Sequence, residues 1–455
     1  MASTILAARV APSSASGGVL ETNRSIRAAR YLATTLVVAL VVGAPMAALA
    51  AAGDLDGSFG AGGVQTLPFA GSYVYADELA RQADGKIVAL GTAHSSVGIA
   101  SDFALLRLLP NGELDTTFGD EGRVTTDFGG RYDEGLALAL QRDGKILAAG
   151  SSAGFASIAR YLPDGTLDPS FDHDGRLLLD IGAQARDLAI QANGRIVVAL
   201  DDGWTFSAAR LRRNGSLDAT FGEAGVLRED FSPGSSDWVR SVALDHAGGI
   251  LLGGLVFPAE GTHDDWGLAR FDRHGNLDAT FGDAGLTTTD FANSGPDVLH
   301  DLVVQPDGMI VATGQSSVEP GDADQRSDVT VARYDEHGVL DPDFGDGGWV
   351  RTDLGSFFDE GRSVALGPNG TIVVAADVYQ DGNAQAAAVR YTADGEPDVT
   401  FGGGDGIAVV DTPSTSDQAF GVVVQPNGRI VIAGSHATVD QNGTSFEFLV
   451  ARFLG

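Results

Sequence analysis

Five aspartates stand ten residues ahead of a recurring turn that ends in Gly: Asp133, Asp237, Asp297, Asp359 and Asp417. Carboxylates repeated at one phase of a repeat converge when the copies are arranged about an axis. Five of them around the mouth of a channel could hold calcium, a hard cation that takes oxygen ligands, or a basic side chain. Their competing use is local, because Asp before a strand closes a turn with its own side chain. Two irregular stretches carry further acids: FPAEGTHDDW (257–266), with Glu260, His263, Asp264 and Asp265, and SSVEPGDADQRSD (316–328), with Glu319, Asp322, Asp324 and Asp328. These are residue types that ligate a metal or receive a cationic partner, and also what a strongly acidic surface carries without a ligand.

Other chemistry is weak or absent. Gly150-Ser151-Ser152-Ala153-Gly154 fits G-x-S-x-G, but it closes an apolar strand in a hairpin rather than forming the strand-to-helix elbow a serine nucleophile needs. The 8 His are scattered singly, and no set of catalytic partners follows from spacing. With no Cys, thiolate metal sites, cysteine nucleophiles and disulfides are excluded. A formal net charge of −32 excludes a nucleic-acid partner, which needs a basic surface to displace counterions.

The elements that must position these residues are short strands. The 455-residue chain is 44% hydrophobic with 62 Gly, a composition suited to many strands and tight turns. A Phe after a Leu-Asp or Pro-Asp pair recurs at Phe59, Phe118, Phe171, Phe221, Phe281, Phe344 and Phe401, so the chain holds seven repeats of about 50–63 residues. Each also has an x-Gly hairpin turn, such as Asp143-Gly144 and Asn193-Gly194, between two apolar runs. Four strands per repeat, a to d in order, are predicted; in the second they are Leu136–Leu140, Lys145–Ala149, Phe155–Tyr161 and Arg176–Ile181. Strands a and b read as apolar runs buried on both faces, and the polar d strands as outer edges.

Seven four-stranded antiparallel units of this kind predict an all-β, seven-bladed β-propeller over residues 51–455. A d strand at 64–69 precedes the first complete repeat, and the last repeat stops after its c strand near Phe453. Pairing of the two is expected to close the ring. Each c strand carries one Arg (107, 160, 210, 270, 333, 390 and 452) eight residues before an Asp of the next loop, or in the last case opposite Asp56, which predicts one structural ion pair per blade.

The runs ELDTTFGDEGRVTTDFG, LALQRDGKILAAG and SIARYLPDG resemble the delta-60 repeat of bacterial exported proteins, related in layout to propellers of the NHL type. The resemblance covers residues 53–455 and implies a β-propeller; it brings no assigned reaction or ligand. Residues 1–50 combine Arg9, Arg24, Arg27 and Arg30 with an apolar core and Ala48-Leu49-Ala50, the pattern of a cleaved signal peptide, or a membrane anchor if cleavage does not occur. The expected protein is a secreted, periplasmic or cell-surface monomer that binds an extracellular protein, glycan or cation through its b–c and d–a loops. The alternative is an extracellular hydrolase or lyase with acids gathered at the channel mouth.

Overall fold

A computed structural model describes residues 50–455, except 70–72, 96–99, 232–233, 235, 258–262, 292–294, 319–325, 381–382, 411, 413–415 and 441–442. The expected signal segment lies outside the described residues. Ala50–Gly455 forms one compact unit. It holds seven four-stranded antiparallel sheets, the blades of a propeller. Among the described residues no helix is long and apolar enough to cross a membrane.

The a strands, from blade one to blade seven, are Tyr73–Arg81, Asp133–Leu140, Gln184–Ile190, Trp238–Leu244, Val298–Val304, Asp359–Leu366 and Ser416–Val424. Each turns at its Gly into a b strand, and c and d follow outward; blade two ends as Ile146–Ser152, Phe155–Tyr161 and Arg176–Leu179. The b and c strands of blade two are almost wholly buried, whereas its a strand alternates between buried and partly open positions. Here the structure departs from the expectation that a strands are buried on both faces. An a strand borders the channel, and it is b and c that lie pressed between neighbouring blades. Seven apolar cores result, one at each blade junction, such as Leu147, Ile158, Leu188 and Val198 between blades two and three. Each fully buried Leu, Ile, Val or Phe there contributes roughly 1.5–3 kcal/mol.

The ring closes as the sequence predicts. Val64–Leu67 pairs antiparallel with Gly443–Phe453, from Val64 opposite Ala451 to Leu67 opposite Phe448. The blade therefore joins one strand from the start of the propeller to three from its end, leaving no unmatched edge at the junction.

Six of the seven c-strand arginines also bolt their blade to its neighbour. The seven c-strand arginines donate from Nε to the seven expected aspartates over 2.7–2.9 Å. Each guanidinium lies over the repeat's Phe, 4.4–4.9 Å from the ring centre, and all seven Phe are fully buried. In six of the seven, Nη1 reaches a carbonyl in the following blade, as Arg107 does at Pro163 and Arg210 at Arg273. The sequence showed the intrablade pair; the third contact makes it a bolt across the junction. Burial opposes ionisation of Asp115 and Asp168, but hydrogen bonds from Thr117 and Ser170, with Lys86 and Lys145, hold both carboxyls well below the usual range.

Candidate functional site at the channel

The a strands are not regular. In each, the register with strand b slips by one residue, at Asp77, Leu136, Arg186, Arg240, His300, Arg362 and Phe420. Such a bulge turns one side chain out of the ladder and re-aims it. In five of the seven blades strand b carries Gly where the a-strand carbonyl presses on it, while blades three and six carry Leu200 and Ala376 there: a Cβ on Gly91 would lie 1.8 Å from the Tyr75 carbonyl, and one on Gly254 would lie 2.0 Å from that of Trp238. The bulged side chains of blades three to six face the channel, because they interact with one another from blade to blade. Arg240 of blade four interacts with Arg186 of blade three and Arg362 of blade six, and His300 of blade five with Arg362 and Arg240.

Four of the seven bulged positions, Arg186, Arg240, His300 and Arg362, thus carry basic residue types within a very acidic protein. Arg186 Nε donates to Asp201 (3.0 Å), and Arg362 Nε donates to Asp377 (3.2 Å) while pairing with Glu360. Arg240 Nε and His300 Nε2 are buried without a hydrogen-bond partner. Burial, then the neighbouring Arg362 and Arg240, pushes the His300 pKa well below its ordinary value, so the ring is neutral near pH 7.

The residues just after the bulges form a second, acidic layer. Ser241 Oγ donates within reach of both Asp187 (3.0 Å) and Asp301 (2.9 Å), so blade four bridges carboxylates of blades three and five. Glu78 of blade one interacts with both. Burial and the Asp301 charge push Asp187 up to about 7, and burial raises Asp301 as well. Burial, then Asp301, raises Glu78 well above the usual range, and burial with Glu134 does the same to Asp77. Like charges in one desolvated space cannot all ionise, so this layer carries protons near neutrality.

The channel opens on the face that bears the b–c and d–a loops. There a cavity of about 350 Å³ is lined by Gln184, Arg186, Asp201, Asp202, Trp238 and Arg240. The same face carries exposed aromatics from several blades: Tyr73, Tyr132, Phe155, Trp204, Trp238, Phe357 and Phe358. A wider hollow of about 690 Å³ lies at the outer edge by Phe69, Gly119 and Arg123, away from the buried acids and bases of the channel.

The five repeated aspartates, in contrast, sit between blades. All are buried, and Asp133, Asp237, Asp297 and Asp359 accept backbone hydrogen bonds of 2.7–2.9 Å from Phe128, Phe231, Phe291 and Leu354 in the d–a loops. Asp417 takes Thr412 Oγ1 (2.5 Å) and pairs with His436 (2.7 Å). Three of the five each meet two other carboxylates, within 4.8 Å of one another: Asp102, Asp127 and Asp133; Asp265, Asp290 and Asp297; Asp328, Asp353 and Asp359. No two of the five share a cluster among the described residues, so these three lie at separate blade junctions. Of the acidic-loop residues, Asp265 and Asp328 join these clusters, and burial with the neighbouring acids pushes each up to about 6. Asp264 lends its carbonyl to the Asp297 amide, while burial raises its own carboxyl against the pull of His263. Glu260, Glu319, Asp322 and Asp324 lie outside the described residues.

The sequence reading missed the channel set, Asp77, Glu78, Arg186, Asp187, Arg240, His300, Asp301 and Arg362. It missed Asp127, Asp290 and Asp353 as well, although a signal was present: an Asp follows the d strand at 127, 180, 230, 290, 353 and 411.

A family model described as "Domain of unknown function (DUF5122) beta-propeller" matches residues 82–118, 141–171, 191–221, 305–344 and 367–401. The chain is a β-propeller repeat protein. No curated protein matches its sequence. Among solved structures, a catalytically inactive virginiamycin B lyase from Staphylococcus aureus with quinupristin is similar over 85% of this chain and 98% of its own, at 11% identity and a TM-score of 0.43. A protein from Lactobacillus plantarum is similar over 84% and 99%, at 12% identity and 0.44. The α-L-arabinofuranosidase of Fusarium graminearum with an iminosugar inhibitor is similar over 70% and 92%, at 12% identity and 0.44.

Proposed function

We propose that the protein is an exported, non-enzymatic binding propeller that takes a glycan at the channel mouth, on the face of its b–c and d–a loops. The observation that carries this reading is the cavity where Trp238 stands beside Arg186, Arg240, Gln184 and two aspartates. An aromatic face covers the apolar side of a sugar ring, and planar amide, guanidinium and carboxylate groups bond its hydroxyls in fixed directions. Exposed aromatics from several blades extend the platform beyond one sugar unit. A glycan array probed with the full chain, followed by calorimetry on the best ligand, tests it. Binding should weaken at least tenfold in Trp238→Ala. Unchanged affinity in that variant, or capture of a protein with no glycan signal, counts against the reading.

A second reading, an extracellular hydrolase or lyase, is favoured by one feature. Asp187, Asp301, Glu78 and Asp77 are buried carboxyls with raised pKa values, as general acids and bases require. Release of reducing or unsaturated ends from a polysaccharide panel, abolished by Asp187→Asn, is its expected signature. Intact polysaccharides after prolonged incubation rule against it.

A further inference from the structure

The junction of blades one and two carries a feature that the channel reading does not use. Asp102 comes from the c strand of blade one, Asp127 from the end of its d strand and Asp133 from the first position of the a strand of blade two. One oxygen from each lies within 4.8 Å of the others. Oxygens bound to one calcium ion at about 2.4 Å are at most about 4.8 Å apart, so the three can reach one ion.

A second observation separates this cluster from an ordinary acidic surface. Asp133 is fully buried, and while its Oδ2 accepts the Phe128 amide at 2.7 Å, its Oδ1 is buried with no hydrogen-bond partner. An orphaned carboxylate oxygen is costly unless a cation completes it. Protein cations do not fill the role: Arg176, which donates to the Asp127 backbone carbonyl, spends its charge on Asp174 at 2.8 Å. The other two clusters lack the orphan oxygen. Asp297 has both oxygens occupied, by the Phe291 and Ser317 amides, and Asp359 has Leu354 and Ser356.

We infer that Asp102, Asp127 and Asp133 form a divalent-cation site, of calcium type, that pins blade one to blade two. Three carboxylates and no nitrogen or sulfur donor favour a hard ion, and a ligand set shared between c, d and a strands suits the larger, less exacting calcium coordination sphere.

Calorimetric titration of the full chain with calcium chloride, after chelator treatment, tests the site. Saturable binding is expected at millimolar calcium or below, with a rise in melting temperature. Both should fall at least tenfold in affinity in Asp127→Asn, whose exposed side chain leaves the fold intact, and in Asp102→Asn. Asp290→Asn, at the cluster without an orphan oxygen, should leave this site's affinity unchanged. Absence of saturable heat, or equal binding in wild type and Asp127→Asn, overturns the proposal.

Discussion

The seams between blades and the channel they enclose are built from the same repeat by opposite rules. At the seams all seven copies agree: one Arg, one Asp and one Phe in the same geometry. At the channel the equivalent bulged positions hold Asp, Leu, Arg, Arg, His, Arg and Phe. Where seven copies agree, the residue answers to a constraint each blade meets alone. Where they differ, it answers to something all blades share, and only the axis is shared.

Substitutions can break that contrast. The largest effect is expected at a seam: Arg210→Ala should cost about 3 kcal/mol in denaturant unfolding, the low end for a broken buried pair, because Arg195 remains 3.0 Å from Asp218. A loss below about 1 kcal/mol would place the seam outside the stability-determining contacts. Next comes pH. Asp187 and Asp297 hold protons up to about 7, and Asp265, Asp328 and Asp377 up to about 6, whereas in the unfolded chain they ionise near about 4. The folded state therefore binds more protons between those values, and the melting temperature should rise by several degrees as pH falls from 7.5 to about 5. Below about pH 4 the trend reverses, because Asp115 and Asp168 have lowered pKa values and their stabilisation is lost as they protonate. Scanning calorimetry without divalent ions reads both limbs, and a melting temperature flat between pH 5 and 7.5 contradicts the first. The smallest stability effect is expected in the channel: Arg240→Ala, which removes a guanidinium whose Nε has no hydrogen-bond partner, should change unfolding by no more than about 0.5 kcal/mol while weakening the proposed glycan binding at least tenfold. A large stability loss there would make Arg240 a seam-like residue.

Much of the ring was legible because it is written locally. Turns such as Asp143-Gly144, the Arg160–Asp168 spacing and the spare strand at 64–69 are short-range signals, repeated until chance is excluded. The channel was not legible, for two reasons. Apolar runs such as Leu302-Val303-Val304 suggest burial on both faces, but a one-residue register slip beside Leu299 turns the residues before them toward the axis. The meeting of Glu78, Asp187 and Asp301 joins three strands far apart in sequence, and no spacing rule connects them. Asp133 was singled out as one of five carboxylates at a channel mouth, yet its neighbours Asp102 and Asp127 belong to the preceding blade, so the fold, not the repeat phase, assembles the cluster.

The closing blade also imposes an order of events. Arg452 bonds Asp56 across a separation of 396 residues, and Val64 pairs with Ala451. Contacts that distant form slowly, since most of the chain must be in place before they can be made. During synthesis the first strand therefore emerges hundreds of residues before its partner exists, and waits with its hydrogen-bonding edge open. The ring can lock only once Gly443–Phe453 has been released to complete the waiting strand at Val64–Leu67.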